Sequence, residues 1–458
     1  MNFNNSRTQK FLLMLGDIFC ILAAYVSAFY IRYFDFPDPN WDAFISLLPW
    51  IIVIGLFLIS VYELYIIDGK QTLTDLIRKI LVVVTMLTFL TMASSYLFRA
   101  FAMPRSVIVI STLFMVVYLF VFKAVFLKLT RRKVVGKFLI IGNETNAEQL
   151  ITKINYPMLK RSEITCVKEG SNMKGIKQLV INSDYIILCT DISKELKSQV
   201  IYHAMEHNKE VYVIPTLYEL VLQRATTSPL DDTLVMGVKP FGLTWEKTFI
   251  KRLFDIVFSL LVLIVISPLL LVMAIIVKLE DPKASAIYSQ ERLGKDDKPF
   301  TIYKFRSMIS DAESYTGPIL ASTNDDRITK VGKFIRATRI DELPQFFNVL
   351  KGDMSIVGPR PEREFFINKL LKEHYHYGYR NRVKPGITGY AQVMGKYTTV
   401  AEDKLRFDLF YIRNYSFWLD LLIILKTFLV VFDKSKSEGT ETKKKVSTKQ
   451  EALNRNNI

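Results

Sequence analysis

Four long apolar runs, at 11–31, 43–62, 80–98 and 106–122, constrain this chain more than any other feature. Each is close to the roughly 17–25 residues that an α-helix needs to cross a hydrocarbon core. The flanking charges give an expected orientation. Arg7 and Lys10 precede the first run, whereas the next loop carries Asp35, Asp38 and Asp42 against Arg32 alone. The second loop holds Lys70, Arg78 and Lys79, and Lys123, Lys128, Arg131, Arg132 and Lys133 follow the fourth run. Basic loops stay on the cytoplasmic side. Residues 1–130 therefore read as a four-helix transmembrane domain, with the N-terminus and everything after Lys128 in the cytoplasm. Arg99 and Arg105 in the third loop run against this pattern. Phe11 onward lacks a small-residue cleavage site and reads as an anchor rather than a removable signal peptide. Asp17, inside the first run, reads as a bundle-facing residue with a partner.

Composition supports the membrane reading. Half of the 458 residues are hydrophobic and the mean hydropathy is positive, at +0.22. A net charge of +16 would suit nucleic acid or an anionic membrane face. The hydropathy selects the membrane, with no nucleic acid partner expected. Cys20, Cys166 and Cys189 are too far apart to form a metal or disulfide framework, which fits a reducing compartment.

Residues 131–238 alternate short β-rich runs with helical stretches, as in a small parallel-sheet α/β domain. The runs are Lys137-FLIIGN, Tyr185-Ile-Ile-Leu-Cys and Glu210-Val-Tyr-Val-Ile-Pro. The domain is Rossmann-like, but the turn after its first strand, Gly142-Asn143-Glu144-Thr145-Asn146, has one glycine where a dinucleotide fingerprint needs three. A regulatory or assembly role without dinucleotide is expected. His203-Ala-Met-Glu-His207 fits a zinc-protease pattern but lacks a third ligand, and a polar helix face explains it. Tyr156 and Lys160 have dehydrogenase spacing, but Pro157 intervenes and the glycines are missing.

Residues 253–277 are long enough to cross the membrane, yet three observations favour a re-entrant hairpin. Lys251 and Arg252 precede the run and Lys278 follows it, so a crossing would carry a basic remainder outside. Ser267 and Pro268 break it at the middle, where proline removes a backbone bond. From Ile256 to Pro268 a helix rises only about 18 Å, against a hydrocarbon core of about 30 Å.

The chemistry concentrates at 330–362. Asp341 and Glu342 are adjacent, Leu343 and Pro344 follow, and an apolar run ends at Lys351-Gly352. Asp341 is expected at a helix N-cap, where free N–H groups favour an ionised carboxylate and attract phosphate. Arg336 and Arg339 lie upstream, and Arg360 sits between Pro359 and Pro361. Two readings fit: an exposed helix cap with a surface ion pair, or a phosphoryl-transfer site in which carboxylates act as nucleophile or metal ligand. In Tyr303-Lys304-Phe305-Arg306-Ser307-Met308, Lys304 and Arg306 alternate with aromatics, as on a phosphate-binding edge or a half-buried strand. Asn324-Asp325-Asp326-Arg327 reads as a solvated turn.

At Asp341-Glu342-Leu343-Pro344-Gln345 and Ser355-Ile356-Val357-Gly358-Pro359-Arg360-Pro361-Glu362 the chain resembles the bacterial sugar transferase family, the monotopic phosphoglycosyl transferases. The likeness also takes in Ser267-Pro268, YKFRSM and KPGITGYAQVMG at 384–395, with Tyr390 and Met394 as mild departures. Four N-terminal spans and an α/β domain further resemble the long subclass, the undecaprenyl-phosphate glucose or galactose phosphotransferases of capsule and exopolysaccharide assembly. The resemblance implies a catalytic domain at 247–433, α/β in class and held by the re-entrant helix and by an interfacial helix at 418–432. A basic tail follows at 434–458. It implies a protein of the bacterial inner membrane with its catalytic domain facing the cytoplasm, and a homodimer. Asp341 would attack a UDP-sugar, with Mg²⁺ at Asp341 and Glu342, to load undecaprenyl phosphate. Arg336 and Arg360, with Pro359 and Pro361, would hold phosphate and nucleotide; Lys304, Arg306 and Asp408 would line the site. The sugar, glucose or galactose, is left open. A membrane nucleotide-sugar dehydratase or epimerase would need the missing glycine fingerprint. A non-catalytic scaffold would not need an intact Asp341, Glu342 and Arg360.

Overall fold

The apolar runs fold as helices whose ends follow charge and turn chemistry. The computed structural model describes residues 7–65, 72–98, 103–130, 136–153, 163–168, 170–310, 325–395 and 399–431. The Tyr156/Lys160 pair, Asn324, the basic tail, and the flanking charges Lys70, Arg99, Arg131, Arg132 and Lys133 lie outside them. Helices α1 (Arg7–Tyr33), α2 (Asp38–Val61), α3 (Leu73–Leu97) and α4 (Arg105–Thr130) cover the four runs. Thr72 caps α3 by accepting from the Asp75 amide, and Pro37 and Asp38 open α2. Asp17 does have a partner. Its carboxylate lies 2.8 Å from the Lys123 ammonium, both are sealed from solvent, and Lys123 also stands 5.2 Å from the centre of the Tyr65 ring. The pair ties α1 to α4 inside the bundle, where an unpartnered charge would be costly.

The α/β region follows: β1 (Lys137–Ile141), α5 (Glu144–Lys153), β2 (Glu163–Val167), α6 (Met173–Asn182), β3 (Tyr185–Leu188), α7 (Lys194–Glu206) and β4 (Val211–Val213). The strands form one parallel sheet in the order β2-β1-β3-β4. Leu139, Ile141, Ile186 and Leu188 bury one face against α6 and α7, as expected when crossover helices cover a parallel sheet. After β1, the Asn143 amide donates to the Asp191 carboxylate. The chain's own anion thus occupies the turn at which a pyrophosphate sits in dinucleotide folds.

The chain divides into two compact units, 1–216 and 217–458. The second opens with α8 (Leu217–Leu222) and the antiparallel pair β5 (Thr226–Leu230) and β6 (Thr233–Gly237). Then come α9 (Trp245–Glu280), the hairpin β7 (Ile287–Leu293) and β8 (Pro299–Phe305), α10 (Lys330–Ala337), α11 (Gln345–Lys351), β9 (Ser355–Val357) and α12 (Glu364–Glu373). It ends with β10 (Gly386–Thr388), α13 (Tyr390–Met394), α14 (Ala401–Arg413) and α15 (Phe417–Val431). β9 and β10 pair in parallel. A core of Val349, Met354, Ile356, Val357, Leu405, Leu409 and Ile423 joins α11, β9, α14 and α15.

Five described helices, α1 to α4 and α9, are long and apolar enough to cross a membrane. The break expected at Ser267 and Pro268 is corrected: α9 runs as one helix through both, because the single amide donor that Pro268 lacks is not enough to end it, and the Ser267 hydroxyl donates to the Ile264 carbonyl. Its buried positions fall into two groups, Lys251, Asp255, Ser259 and Leu263 before the proline, and Met273 and Val277 after it. The first group is held by polar bonds: Lys251 to Asp420 at 2.5 Å, and Asp255 to the Ser355 hydroxyl and the Ile356 amide. The second packs on Phe305 and Ile335. Between them Ile264, Val265, Leu269, Leu271 and Val272 are exposed.

Candidate active site

Asp341 and Glu342 lie in a short 3-10 turn, Ile340–Glu342, and not at the N-cap of α11 as the sequence predicts. The N-cap position falls to Pro344, and no side chain caps the helix. The physical reason is at either side of the dyad. Arg339 is left-handed (φ 60°), which ends α10 and starts a new turn, and Pro344 cannot donate a hydrogen bond. Gly352, also left-handed at φ 101°, closes α11 as its residue type implies.

The two carboxylates face different surroundings. Glu342 accepts from Lys304 at 3.0 Å and Arg360 at 2.6 Å, with Arg339 3.9 Å away. Burial alone would raise its pKa, but Arg360 and Lys304 outweigh burial and hold it well below the usual carboxylate range. Asp341 is as buried, at 9% exposed, yet its carboxylate makes no hydrogen bond or ion pair among the described residues. Burial first, and the Glu342 charge second, push it up to about 6; Lys304, Arg360 and Arg339 pull it back part of the way. The expectation that a helix N-terminus keeps Asp341 ionised is therefore corrected, because the nearby cations do that. Burial lowers Lys304, and its two neighbouring carboxylates oppose the shift.

Arg360 reaches Glu342 from a loop built for close backbone contact. Leaving β9, Gly358 donates to the Thr388 carbonyl and the Gly386 amide donates to the Pro359 carbonyl, at 2.9 Å each. A Cβ on Gly358 would come within 2.4 Å of the Lys384 carbonyl, and one on Gly386 within 2.1 Å of the Gly358 nitrogen. Glycine is thus required sterically where the GPRP and KPGITG segments cross. Pro359 and Pro361 restrict the backbone on both sides of Arg360.

Asp408 does not touch the dyad. It is buried on α14 and binds Arg380, Nη2 to Oδ2 at 2.8 Å. Arg380 also pairs with Glu362 at 3.2 Å and donates to the Arg360 main-chain carbonyl at 3.0 Å. Asp408 thus acts through Arg380 on the loop that carries Arg360. Arg306 turns away, donating to the Ser285 carbonyl and covering the Tyr288 ring. Arg336 is felt by Asp325, where it helps Arg327 lower that carboxylate, and the nearer arginine to the dyad is Arg339. Asp325 and Arg327 close the predicted turn as an ion pair at 2.6 Å. Arg380 and Glu362 were missed as site partners from sequence, because their contacts arise only from the tertiary crossing of the 360, 380 and 408 segments, whereas Arg339 reaches Glu342 locally from three residues upstream.

Two adjacent carboxylates, one of them unpaired, form an oxygen donor set of the kind Mg²⁺ takes when substrate phosphates and waters complete its shell. The HxxEH motif lies in the first unit, on α7, where His203, Glu206 and His207 bring their ligand atoms within 4.8 Å of one another.

The profile of the bacterial sugar transferase family matches residues 246–434. The chain is 43% identical over 224 residues to UDP-N-acetylgalactosamine-undecaprenyl-phosphate N-acetylgalactosaminephosphotransferase of Aeromonas hydrophila, covering 48% of this chain and 52% of that one. It is 44% identical over 227 residues to UDP-glucose:undecaprenyl-phosphate glucose-1-phosphate transferase of Klebsiella pneumoniae, covering 48% of each. The chain thus spans about half the length of these two relatives. A shorter Bacillus subtilis protein, provisionally named an undecaprenyl-phosphate N-acetylgalactosaminyl 1-phosphate transferase, is 48% identical over 178 residues, 38% of this chain and 88% of that one. The dyad, the GPRP loop and the KPGITG segment all fall inside residues 246–434, and the chain belongs to the bacterial sugar transferase family.

Proposed function

We propose that this protein transfers a sugar 1-phosphate from a UDP-sugar to undecaprenyl phosphate, releasing UMP and starting the repeat unit of a capsule, exopolysaccharide or O-antigen. The observation that carries the reading is the unequal dyad. Glu342 is fixed by Lys304 and Arg360, while Asp341 beside it is buried, unpaired and raised to about 6. Such a carboxylate is largely ionised at neutral pH, yet more basic than an ordinary aspartate, as suits a nucleophile. An Asp341 oxygen attacks the β-phosphorus. As that P–O bond forms, the bond to the bridging oxygen breaks and UMP leaves with the electron pair. An oxygen of undecaprenyl phosphate then attacks the same phosphorus and displaces the carboxylate, giving the lipid diphosphate-sugar. Arg360 and Lys304, held beside the dyad by Glu342, would meet the charge that builds on the phosphoryl oxygens. Arg336, Pro359, Pro361 and Asp408 would support the site from further out, whereas Arg306, turned to Ser285 and Tyr288, would not. Asp341 and Glu342 would hold Mg²⁺, which when bound adds positive charge against the diphosphate.

The second substrate is a lipid, and α9 suits it. Both ends of the helix pack on the catalytic domain while its middle, around Pro268, is apolar and exposed. That supports a re-entrant helix dipping into the cytoplasmic leaflet of the bacterial inner membrane, with α15 beside it in the interface. The domain reading stays at 1–130, 131–238, 247–433 and a tail at 434–458. The middle domain is Rossmann-like and without dinucleotide, in line with the Asp191 carboxylate in its first turn, and the protein acts as a homodimer. Glucose and galactose are the donor sugars favoured from sequence, and the relatives' names add N-acetylgalactosamine. The test is UMP release from a panel of UDP-sugars by the full chain in nanodiscs, with and without undecaprenyl phosphate. Wild type should release UMP and Asp341→Asn none. Equal release by the two would end the covalent mechanism.

A further inference from the structure

A cavity of about 760 Å³ in the second unit has neither Asp341 nor Glu342 in its lining. Its floor includes Lys295 in the β7–β8 turn, and from Lys298 to Lys304 the strand runs six residues, about 20 Å. The size suits a small ligand. One wall is a continuous stack of planar groups. His376 lies 5.7 Å from Tyr379 at 16°, Tyr379 lies 5.2 Å from Phe241 at 30°, and the Arg413 guanidinium covers the Phe241 ring at 4.4 Å. Tyr379 and His376 are exposed at the surface of this wall. The lining is also cationic. Among the described residues, Lys239 and Lys295 are exposed with no anionic partner, and Arg382 is shared with Asp296 at 3.3 Å, the one acid in the lining. Arg413 spends one nitrogen on the Lys239 carbonyl at 2.7 Å and leaves its buried Nε–H without an acceptor.

Planar faces beside unneutralised cations, with a spare guanidinium donor, match a ligand that has an aromatic ring at one end and phosphate at the other. We infer that this cavity is a nucleotide site separate from the catalytic dyad, with the base stacked on His376 at the end of the ring series that Tyr379 backs, and the phosphates held by Lys239, Lys295 and Arg382. Ring faces are common to all bases and no built edge-reading group faces them, so the site selects for nucleotide phosphates more than for base identity.

The test is equilibrium binding of radiolabelled ADP to the full chain in nanodiscs. Saturable binding at one site per chain is expected. The double charge reversal Lys239→Glu/Lys295→Glu, at exposed positions, should weaken it at least tenfold, and Tyr379→Ala several-fold. Arg360→Ala should leave ADP affinity within twofold. Absence of saturable binding, binding indifferent to the charge reversal, or binding lost in Arg360→Ala would overturn the assignment, the last because ADP would then be sitting at the dyad. Inorganic phosphate that competes as well as ADP would overturn the role of the rings.

Discussion

Replacing Arg380 with lysine keeps the positive charge and removes the planar fork, so it separates packing from positioning. Arg380 is 3% exposed and divides its donors among four acceptors: Asp408 at 2.8 Å, Glu362 at 3.2 Å, the Tyr377 hydroxyl at 3.3 Å and the Arg360 carbonyl at 3.0 Å. A single ammonium on a shorter arm can satisfy Asp408 but cannot also reach the Arg360 carbonyl. Hydrogen bonds to charged groups contribute about 1.5–3 kcal/mol each, so losing one or two should reduce unfolding stability by about 2–4 kcal/mol. The functional effect has a different source. Freed from Arg380, the Arg360 main chain can shift relative to Glu342, and a displacement of about 1 Å at a positioned group lowers rates by about 100-fold. We expect kcat per folded enzyme to fall about 10- to 100-fold, measured as UMP release in nanodiscs well below the unfolding midpoint. Asp408→Asn should act in the same direction, and the double variant should show a coupling of about 0.5–3 kcal/mol because the two share one contact. If Arg380→Lys lowers the unfolding midpoint while turnover stays within twofold, Arg380 and Asp408 are structural only and the positioning argument is wrong.

Other outcomes follow from the same geometry. Gly358→Ala puts a methyl about where the Lys384 carbonyl lies, 2.4 Å away, and should destabilise the second unit by about 1–3 kcal/mol with loss of turnover; an unchanged midpoint would contradict the close crossing. In the N-terminal bundle, Lys123→Ala strands the buried Asp17 and should cost about 3–5 kcal/mol, whereas the paired Asp17→Leu/Lys123→Met should recover most of it in a thermal melt in detergent. For α9, single cysteines at Phe249 and Leu279, both exposed, should react from the same side of sealed inverted vesicles in a cysteine-free background. Labelling from opposite sides would mean that α9 crosses the membrane.

The parts legible in the sequence were those with a strong period or a fixed spacing. The four long apolar helices, the β1, β3 and β4 runs and the Gly352 stop all follow from local chemistry, and DELPQ with GPRP pointed to the region of the candidate site. The parts that were not legible depend on chain segments far apart in sequence. Nothing near Asp408 announces that it holds Arg380, or that Arg380 holds the loop of Arg360 from twenty residues away. The N-cap reading of Asp341 failed for a local reason, since it assumed that the helix begins at the first good capping residue. The left-handed Arg339 inserts a separate 3-10 turn before it.

That turn matters to the chemistry. On an N-cap, Asp341 would spend its carboxylate on helix amides and be stabilised as an anion, which makes a poor nucleophile. In the 3-10 turn it is buried and bonded to nothing, while Glu342 binds the cations that make such burial tolerable. The adjacent pair thus divides two needs that one residue could not meet together. In the proposed reaction one carboxylate would gather the positive charge that a diphosphate requires, and the other would keep its lone pairs for phosphorus. The side that Asp341 would present to a membrane-bound acceptor depends on α9, whose two ends grip the same domain through Lys251, Asp255, Met273 and Val277. A helix held to one domain at both ends and apolar at its exposed middle is the arrangement that the proposed re-entrant placement, and the proposed transfer to a lipid phosphate, would require.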